Sequence, residues 1–177
     1  MIITGGFLKG RKIIAPDEKI TRPTLSKVRQ GVFNVLFSLI GDFEGRSFLD
    51  LFGGSGVMGL EALSRGFSDV TVVEKNLKIV QILKKNYLTL GVKSDLKICD
   101  SLKYLANLDK SFDVIYIDPP YYSGVYEEVF FALSLLELEN AIIIAGHSET
   151  LNIENFDLIK KKNYGGKYLS FYKKSIL

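Results

Sequence analysis

The sequence is poor in the residues that build disulfides and metal centres. Among its 177 residues, cysteine and histidine each occur once, as Cys99 and His147, and tryptophan is absent. One cysteine cannot form an internal disulfide, and one imidazole argues against a Cys/His metal cluster. No apolar run approaches the roughly 20 residues of a membrane helix, and the first residues lack the order of a signal peptide. We therefore expect a cytoplasmic protein without a bound metal.

Charge is only mildly unbalanced, with a formal net charge of +3 and a sequence pI near 8.8. The basic residues are dense in the first 29 positions, which hold two acidic residues and the following cations: Lys9, Arg11, Lys12, Lys19, Arg22, Lys27 and Arg29. Two interpretations fit this end of the chain, an anionic partner or an ordinary solvated face.

The first 40 residues predict a β-hairpin followed by an amphipathic helix. The runs "IIT" and "RKIIAP" flank the glycine-containing turn "GGFLKG", as in a hairpin. In "LSKVRQGVFNVLFSLI", the apolar residues Leu25, Val28, Val32 and Leu39 recur at helical spacing. This spacing leaves Arg29, with its polar neighbours, on the opposite face.

From residue 47 onward, strand patterns alternate with helix patterns. "SFLDLF", "DVTVVE", "LKICD", "FDVIYI" and "AIIIAG" read as strands separated by helices, and "FDLIKKKNYG" with "KYLSFYKK" reads as a closing pair. Such alternation predicts an α/β, doubly wound, mainly parallel seven-stranded sheet with a terminal antiparallel strand pair. We expect one domain over residues 1–177, with a basic extension at 1–40 and a catalytic core at 41–177.

A glycine loop follows the first strand of this core. Gly54, Gly56 and Gly59 satisfy G-x-G-x-x-G, and Glu74 ends the next strand about 20 residues on. The pattern fits a dinucleotide, S-adenosylmethionine or a tight βα turn without a ligand. Asp50 favours S-adenosylmethionine, because a carboxylate suits a cationic amino-acid moiety better than a pyrophosphate.

Asp100 ends the third strand and can accept a hydrogen bond from an adenine amine. It can equally cap the helix that begins at Ser101. The predicted cofactor-binding set is Asp50, Phe52, Gly54, Gly56, Gly59, Glu74, Lys75, Asp100 and Ser101.

The fourth strand ends in "DPPY", residues 118 to 121. Asp118 and the carbonyl of Pro119 can accept N–H groups, and the ring of Tyr121 can stack on a base. Pro120 completes the predicted catalytic set. The alternative is a strand terminated by proline, with no chemistry.

The motifs "DLFGGSGVMGLEALSRG", Glu74, "CDS" and "DPPY" occur in the order typical of class I methyltransferases, and the sequence resembles those that act on amino groups. "GGFLKGRKI", "TRPTLSKVRQGVFNVL" and "YGGKYLSFY" are similar to the bacterial RsmD-type family. The resemblance implies methyl transfer from S-adenosylmethionine to the exocyclic N2 of a guanine in small-subunit (16S) ribosomal RNA. It also implies action on RNA, either naked or in an assembling ribosomal particle, and we expect a monomer.

On this resemblance, a group of basic side chains would hold RNA phosphates: Lys9, Arg11, Lys12, Arg22 and Arg29. The family often has a carboxylate after the fifth strand, where this sequence has Gly146 before His147. His147 is either a base or a hydrogen-bonded structural residue. Two other functions stay open, a DNA adenine-N6 methyltransferase and a nucleotide-binding or RNA-binding module without catalysis.

Overall fold

A computed structural model describes residues 1–16, 25–120, 124–148 and 150–175. The helices are α1 (Ser26–Ile40), α2 (Val57–Ser64), α3 (Leu77–Leu90), α4 (Ser101–Leu105) and α5 (Tyr126–Ser134). The strands are β1 (Ser47–Asp50), β2 (Asp69–Val73), β3 (Asp95–Lys97), β4 (Val114–Ile117), β5 (Ile142–His147), β6 (Phe156–Tyr164) and β7 (Lys167–Lys174).

The seven strands form one sheet in the order β3-β2-β1-β4-β5-β7-β6. The first five pair in parallel, whereas β7 runs antiparallel to both β5 and β6. The predicted α/β sheet with a terminal antiparallel pair is therefore confirmed. The strand order reverses between β1 and β4, and ligands bind at such a switch point, beyond the carboxyl ends of the strands.

Two hydrophobic layers cover the sheet because neighbouring residues of a strand point to opposite faces. Phe48 and Val114 pack in one layer with α1, α2 and α3, while Leu49 and Ile115 pack in the other with α4 and α5. Helix α3 is capped at both ends. Asn76 caps the first turn by accepting from two backbone N–H groups, and Gly91 ends the helix in the left-handed conformation.

The N-terminal segment forms the predicted hairpin, with a short antiparallel pairing. A single antiparallel bridge joins Ile2 to Lys12, and the turn between them packs on the end of α2. The backbone N–H of Phe7 donates to the Ser64 carbonyl at 2.8 Å, and the N–H of Leu8 donates to the Ser64 hydroxyl at 2.8 Å. Backbone hydrogen bonds of 3.0 and 2.9 Å between the two runs flank the bridge, so the segment is a short hairpin that also contacts α2.

Arg29 lies inside the protein, contrary to the helix-face prediction. Its side chain is 1% exposed and its Nε lies 3.1 Å from Oε1 of Glu61, which also binds Arg65 at 3.2 Å through Oε2. The Arg29 guanidinium also donates to the carbonyl of Ile2 at 2.7 Å. A buried arginine is tolerated because these acceptors replace water. The cluster joins the N-terminal segment to α1 and α2.

Within the described ranges, the helices are all too short or too polar to cross a membrane. The same ranges contain no group of three or more acidic, histidine or cysteine residues placed to hold a metal ion.

Candidate functional site

A cavity of about 690 Å³ lies at the carboxyl ends of the parallel strands. Its walls come from the loops after β1, β2, β3 and β4, from the start of α1 and from the β6–β7 turn. Lining residues from the predicted sets are Asp50, Phe52, Gly54, Glu74, Lys75, Asp100, Ser101, Asp118, Pro119 and Pro120. The sheet therefore brings the glycine-loop residues and the Asp-Pro-Pro residues to a single cavity.

Asp50 is the most buried acid in this cavity, with 1% of its surface exposed. Its Oδ1 accepts from the backbone N–H of Phe52 at 3.3 Å, but its Oδ2 has no hydrogen-bond partner among the described residues. Burial raises the pKa of Asp50 to about 7, the Phe52 N–H opposes that rise, and the charges of Asp118 and Glu74 add to it. A buried carboxylate oxygen without a donor is an acceptor prepared for a cationic or N–H-bearing ligand.

Glu74 is held by the glycine loop and by its own turn. Its Oε2 accepts from the backbone N–H of Gly54 at 3.0 Å, and its Oε1 accepts from the N–H of Asn76 at 2.7 Å. A carboxylate has about four acceptor positions. The two backbone bonds therefore fix the orientation of Glu74 and leave acceptor capacity for a ligand hydroxyl.

Glycine is needed at the three motif positions for different structural reasons. Gly54 has a φ of +52°, lines the cavity, and a Cβ there would meet only the Phe52 carbonyl oxygen, at 4.0 Å. Gly56 and Gly59 do not line the cavity. A Cβ on Gly56 would lie 2.7 Å from the Tyr87 ring, and one on Gly59 would overlap the Tyr87 hydroxyl. Gly56 and Gly59 allow α2 to approach α3 and β2, and of the three glycines Gly54 is the one that lines the cavity.

Asp100 takes the capping role considered from the sequence and also lies at the cavity. Its Oδ1 accepts from the N–H of Leu102 at 3.0 Å and thus caps α4. Its Oδ2 accepts from Lys75 at 2.9 Å, and that hydrogen bond is the main cause that lowers the pKa of Asp100. The carboxylate is therefore ionised and lines the cavity beside the buried Ser101.

Asp118 is bound at both carboxylate oxygens. The ammonium of Lys167 lies 2.5 Å from Oδ1, and the hydroxyl of Tyr116 donates to Oδ2 at 3.0 Å. Burial raises the pKa of Asp118, and the Lys167 charge opposes that rise most strongly. Burial also raises the pKa of Tyr116 well above its ordinary value, so its hydroxyl stays protonated and donates. Pro119 is buried and Pro120 exposed beside this carboxylate.

Gly146 leaves room for this ion pair. A Cβ at position 146 would lie 3.1 Å from Cε of Lys167 and 3.2 Å from Cγ of Asp118, so a larger side chain would crowd both. His147 is 2% exposed, bonds the Ser170 hydroxyl at 2.8 Å through Nε2 and stacks on Tyr168. Its placement is that of a hydrogen-bonded structural residue.

The predicted phosphate-binding residues do not lie together. Lys9, Arg11 and Lys12 are exposed, but their turn packs at the carboxyl end of α2, whereas the cavity lies at its amino end. Arg29 is enclosed by Glu61 and cannot reach a phosphate, so that prediction is wrong. Arg22 and Tyr121 lie outside the described residues.

Further residues line the cavity that were not predicted from the sequence: Lys167, Tyr116 and the turn Gly165–Gly166. The motif "YGGKY" does signal a turn, since both glycines have positive φ. Its placement beside Asp118 depends on the antiparallel pairing of β5 with β7, which sets Gly146 opposite Leu169. No local pattern predicts that register.

Known proteins resemble this one along nearly the whole chain. Residues 1–173 match the family described as "Conserved hypothetical protein 95". The ribosomal RNA small subunit methyltransferase D of Haemophilus influenzae is 34% identical over 92% of this chain and 88% of its own. The Escherichia coli protein of that name is 37% identical over 76% of this chain and 66% of its own.

A solved Escherichia coli structure, described as a candidate methyltransferase, is 28% identical and covers 98% of this chain and 97% of its own, with a TM-score of 0.81. The glycine loop, the carboxylates and the Asp-Pro-Pro turn thus stand in a class I methyltransferase fold. The chain belongs to the family of the ribosomal RNA small subunit methyltransferase D proteins.

Proposed function

We propose that this protein methylates the exocyclic N2 of a guanine in small-subunit ribosomal RNA, with S-adenosylmethionine as the donor. The observation that carries the proposal is the shared cavity. The buried Asp50, with a carboxylate oxygen that lacks a partner among the described residues, and the Asp118-Pro119 turn line the same space. One part suits a cationic cofactor, and the other suits a planar amine.

The cofactor side fits S-adenosylmethionine through its donor and acceptor chemistry. Asp50 would accept from the amino-acid ammonium, Glu74 from the ribose hydroxyls, and Asp100 from the adenine amine. Gly54 would let the ligand approach the backbone because it carries no side chain. Phe52, Lys75 and Ser101 line the same region. When bound, S-adenosylmethionine supplies an electrophilic methyl group whose bond to sulfur breaks as its bond to nitrogen forms.

On the acceptor side, the residues that directly follow β4 would orient the amine. A guanine N2 is a weak nucleophile because its lone pair is delocalised into the ring, so direction and distance decide the rate. Asp118 and the carbonyl of Pro119 would each accept one N–H and aim the lone pair at the methyl group. Tyr121 would stack on the base. The methylated nitrogen then loses one proton, and Asp118, whose pKa burial raises, can receive it.

A paired guanine cannot enter this cavity from within a helix, so the base would be unstacked or flipped. Lys9, Arg11 and Lys12 would contact RNA phosphates farther from the cavity. We further propose that residues 1–177 act as one domain, as a monomer and in the cytoplasm. The hydrophobic layer that contains α2 and α3 also contains Ile3, Leu8 and Ile13, in keeping with one domain.

The test is methyl transfer from radiolabelled S-adenosylmethionine to 16S ribosomal RNA and to small ribosomal subunits, followed by mass-spectrometric mapping. N2-methylguanine at one position is the expected product. Duplex DNA serves as the acceptor for the alternative, and N6-methyladenine in it would overturn the proposal. Asp118→Ala should lose most turnover per folded molecule but bind S-adenosylhomocysteine almost normally, because the lost contact serves the transition state. A near wild-type rate in that variant would exclude the mechanism.

A further inference from the structure

The edge strand β6 carries three adjacent exposed lysines: Lys160, Lys161 and Lys162. The pair β6–β7, residues 156–174, contains six lysines and one acid, Asp157. Two of the six have partners inside the protein, since Lys167 binds Asp118 and Lys174 donates to the Leu136 carbonyl. The three β6 lysines form no ion pair with any described residue, so their charges face solvent.

These lysines lie on both faces of one strand. Lys160 and Lys162 stand opposite Phe171 and Leu169 of β7, whereas Lys161 stands opposite Ser170. Directly paired residues share a face, so Lys161 points to the other side, where its Nζ lies 4.5 Å from the centre of the Tyr168 ring. Both faces of this edge of the sheet therefore carry positive charge.

The strand leads from this charge to the cavity. Two residues after Lys162, Tyr164 begins the turn Tyr164–Lys167, all four residues of which line the cavity. At about 3.3 Å per residue, Lys162 and Lys160 stand about 7 and 13 Å along the strand from Tyr164. A Cβ added to Gly165 or Gly166 would have no other atom within 4 Å. A bulky ligand can therefore approach the backbone of this turn.

The N-terminal cations are less well placed. The turn that contains Lys9 packs at Ser64, the last residue of α2. The glycine loop stands at the other end of that eight-residue helix, about 12 Å away along its axis. Strand β6 is therefore better placed than the N-terminal cations to contact the RNA backbone next to a base in the cavity.

We propose that Lys160, Lys161 and Lys162 form an RNA phosphate-binding surface that guides the target strand across the Gly165–Gly166 turn into the cavity. The inference rests on the proposed function for the identity of the base, but the surface itself requires only a polyanion. Lysines bind phosphate as point charges and release counterions when they do so. The free N–H groups of an edge strand offer additional donors to phosphate oxygens. The alternative is that the lysines only protect the sheet edge from aggregation.

The test compares two triple variants that remove the same charge from opposite edges of the sheet. Lys160→Gln/Lys161→Gln/Lys162→Gln alters the proposed surface. Lys84→Gln/Lys85→Gln/Lys93→Gln removes three exposed lysines on and just after α3, near the β3 edge. Binding to labelled polyuridylate is measured by fluorescence anisotropy over a range of salt concentrations. Circular dichroism and sedimentation check folding and aggregation.

The β6 variant should bind polyuridylate at least roughly tenfold more weakly at about 0.1 M salt, with its log K against log salt slope reduced by about two units. The α3 control should match the wild type. Equal losses of polyuridylate affinity in both variants would show an effect of total charge and would refute a specific binding surface on β6. Unchanged RNA binding, with or without aggregation of the β6 variant, would also overturn it.

Methyl transfer to 16S ribosomal RNA, measured in parallel, separates this inference from the proposed function. If the wild type transfers no methyl group while the β6 variant still loses polyuridylate binding, the surface stands and the proposed function fails. If the wild type methylates RNA and the β6 variant keeps wild-type affinity and rate, the function stands and the surface is refuted.

Discussion

The ammonium of Lys167 lies 2.5 Å from Oδ1 of Asp118, and the two side chains are 16% and 12% exposed. Asp118 directly follows β4 and Lys167 begins β7, and these two strands do not pair with each other, since β5 lies between them. Gly146, on that intervening strand, leaves the space that the pair fills. Lys167 thus opposes the effect of burial on the pKa of Asp118, the proposed acceptor of the amine.

Lys167→Met should shift the acid side of the pH–rate profile for methyl transfer to higher pH. Burial raises the pKa of Asp118 and Lys167 lowers it, so removal of the ammonium lets the pKa rise further. Because the ionised carboxylate is the better acceptor for the amine, more alkaline conditions would be needed for full activity. Single-turnover rates from pH 5 to 9 measure the shift.

Lys167→Arg is the matched control, since it keeps the charge. It should keep the acid limb near its wild-type position even if its rate falls. A Lys167→Met profile whose limb coincides with that of the wild type would show that Lys167 does not tune Asp118.

Binding of S-adenosylhomocysteine should release a proton from Asp50 near neutral pH. Its pKa of about 7 leaves the carboxyl partly protonated in the free protein, and an incoming ammonium favours the charged form. Calorimetry at pH 7 in buffers of different ionisation enthalpy counts the proton. Asp50→Asn should bind about ten- to a hundredfold more weakly and lose this buffer dependence. A wild-type binding enthalpy that does not vary with buffer would contradict the assignment.

Asp50→Asn should also change the pH dependence of stability. A carboxyl whose folded-state pKa lies above its unfolded value stabilises the fold fully below about pH 4, and this contribution is lost as pH rises through about 7. Relative to the wild type, the variant should therefore gain stability between pH 4 and 8. One pH unit between folded and unfolded pKa corresponds to about 1.4 kcal/mol. Urea unfolding at several pH values measures the difference, which should not be constant.

The sequence predicted the sheet and the cofactor-side carboxylates because these depend on local signals. The alternation of strand and helix patterns and the glycine loop are each contained in short segments. Arg29 shows where local signals fail. Its position on the helical wheel is polar, yet Glu61 from α2 approaches it and makes burial possible. Lys167 is a similar case, because the β5–β7 register brings it to Asp118.

Arg29→Ala should destabilise the protein by about 3 to 5 kcal/mol, because it leaves Glu61 buried without one of its two cations. Urea unfolding measures the loss. Lys12→Ala, on an exposed residue of the same basic end, should change the free energy of unfolding by less than about 0.5 kcal/mol. If Arg29→Ala kept wild-type stability and instead lowered the salt slope of RNA binding, the original phosphate role would be restored.

Two glycines of one motif should respond to alanine in opposite ways. In Gly59→Ala, the new methyl group would overlap the Tyr87 hydroxyl and lie 2.7 Å from Cγ2 of Val72. Overpacking of this kind costs about 1 to 3 kcal/mol, so Gly59→Ala should lower the free energy of unfolding. Because Gly59 does not line the cavity, S-adenosylhomocysteine affinity per folded molecule should stay within about threefold of wild type.

Gly54→Ala should behave in reverse, because its new methyl group has space but stands in the cavity wall. Its positive φ costs about 1 kcal/mol, while affinity for S-adenosylhomocysteine should fall about tenfold or more. Tyr87→Phe provides the decisive control, since it removes the hydroxyl that blocks position 59. Tyr87→Phe/Gly59→Ala should be less destabilised than the two single variants predict by addition. Strict additivity, or a loss of cofactor affinity in Gly59→Ala, would return Gly59 to the ligand site and refute the packing role.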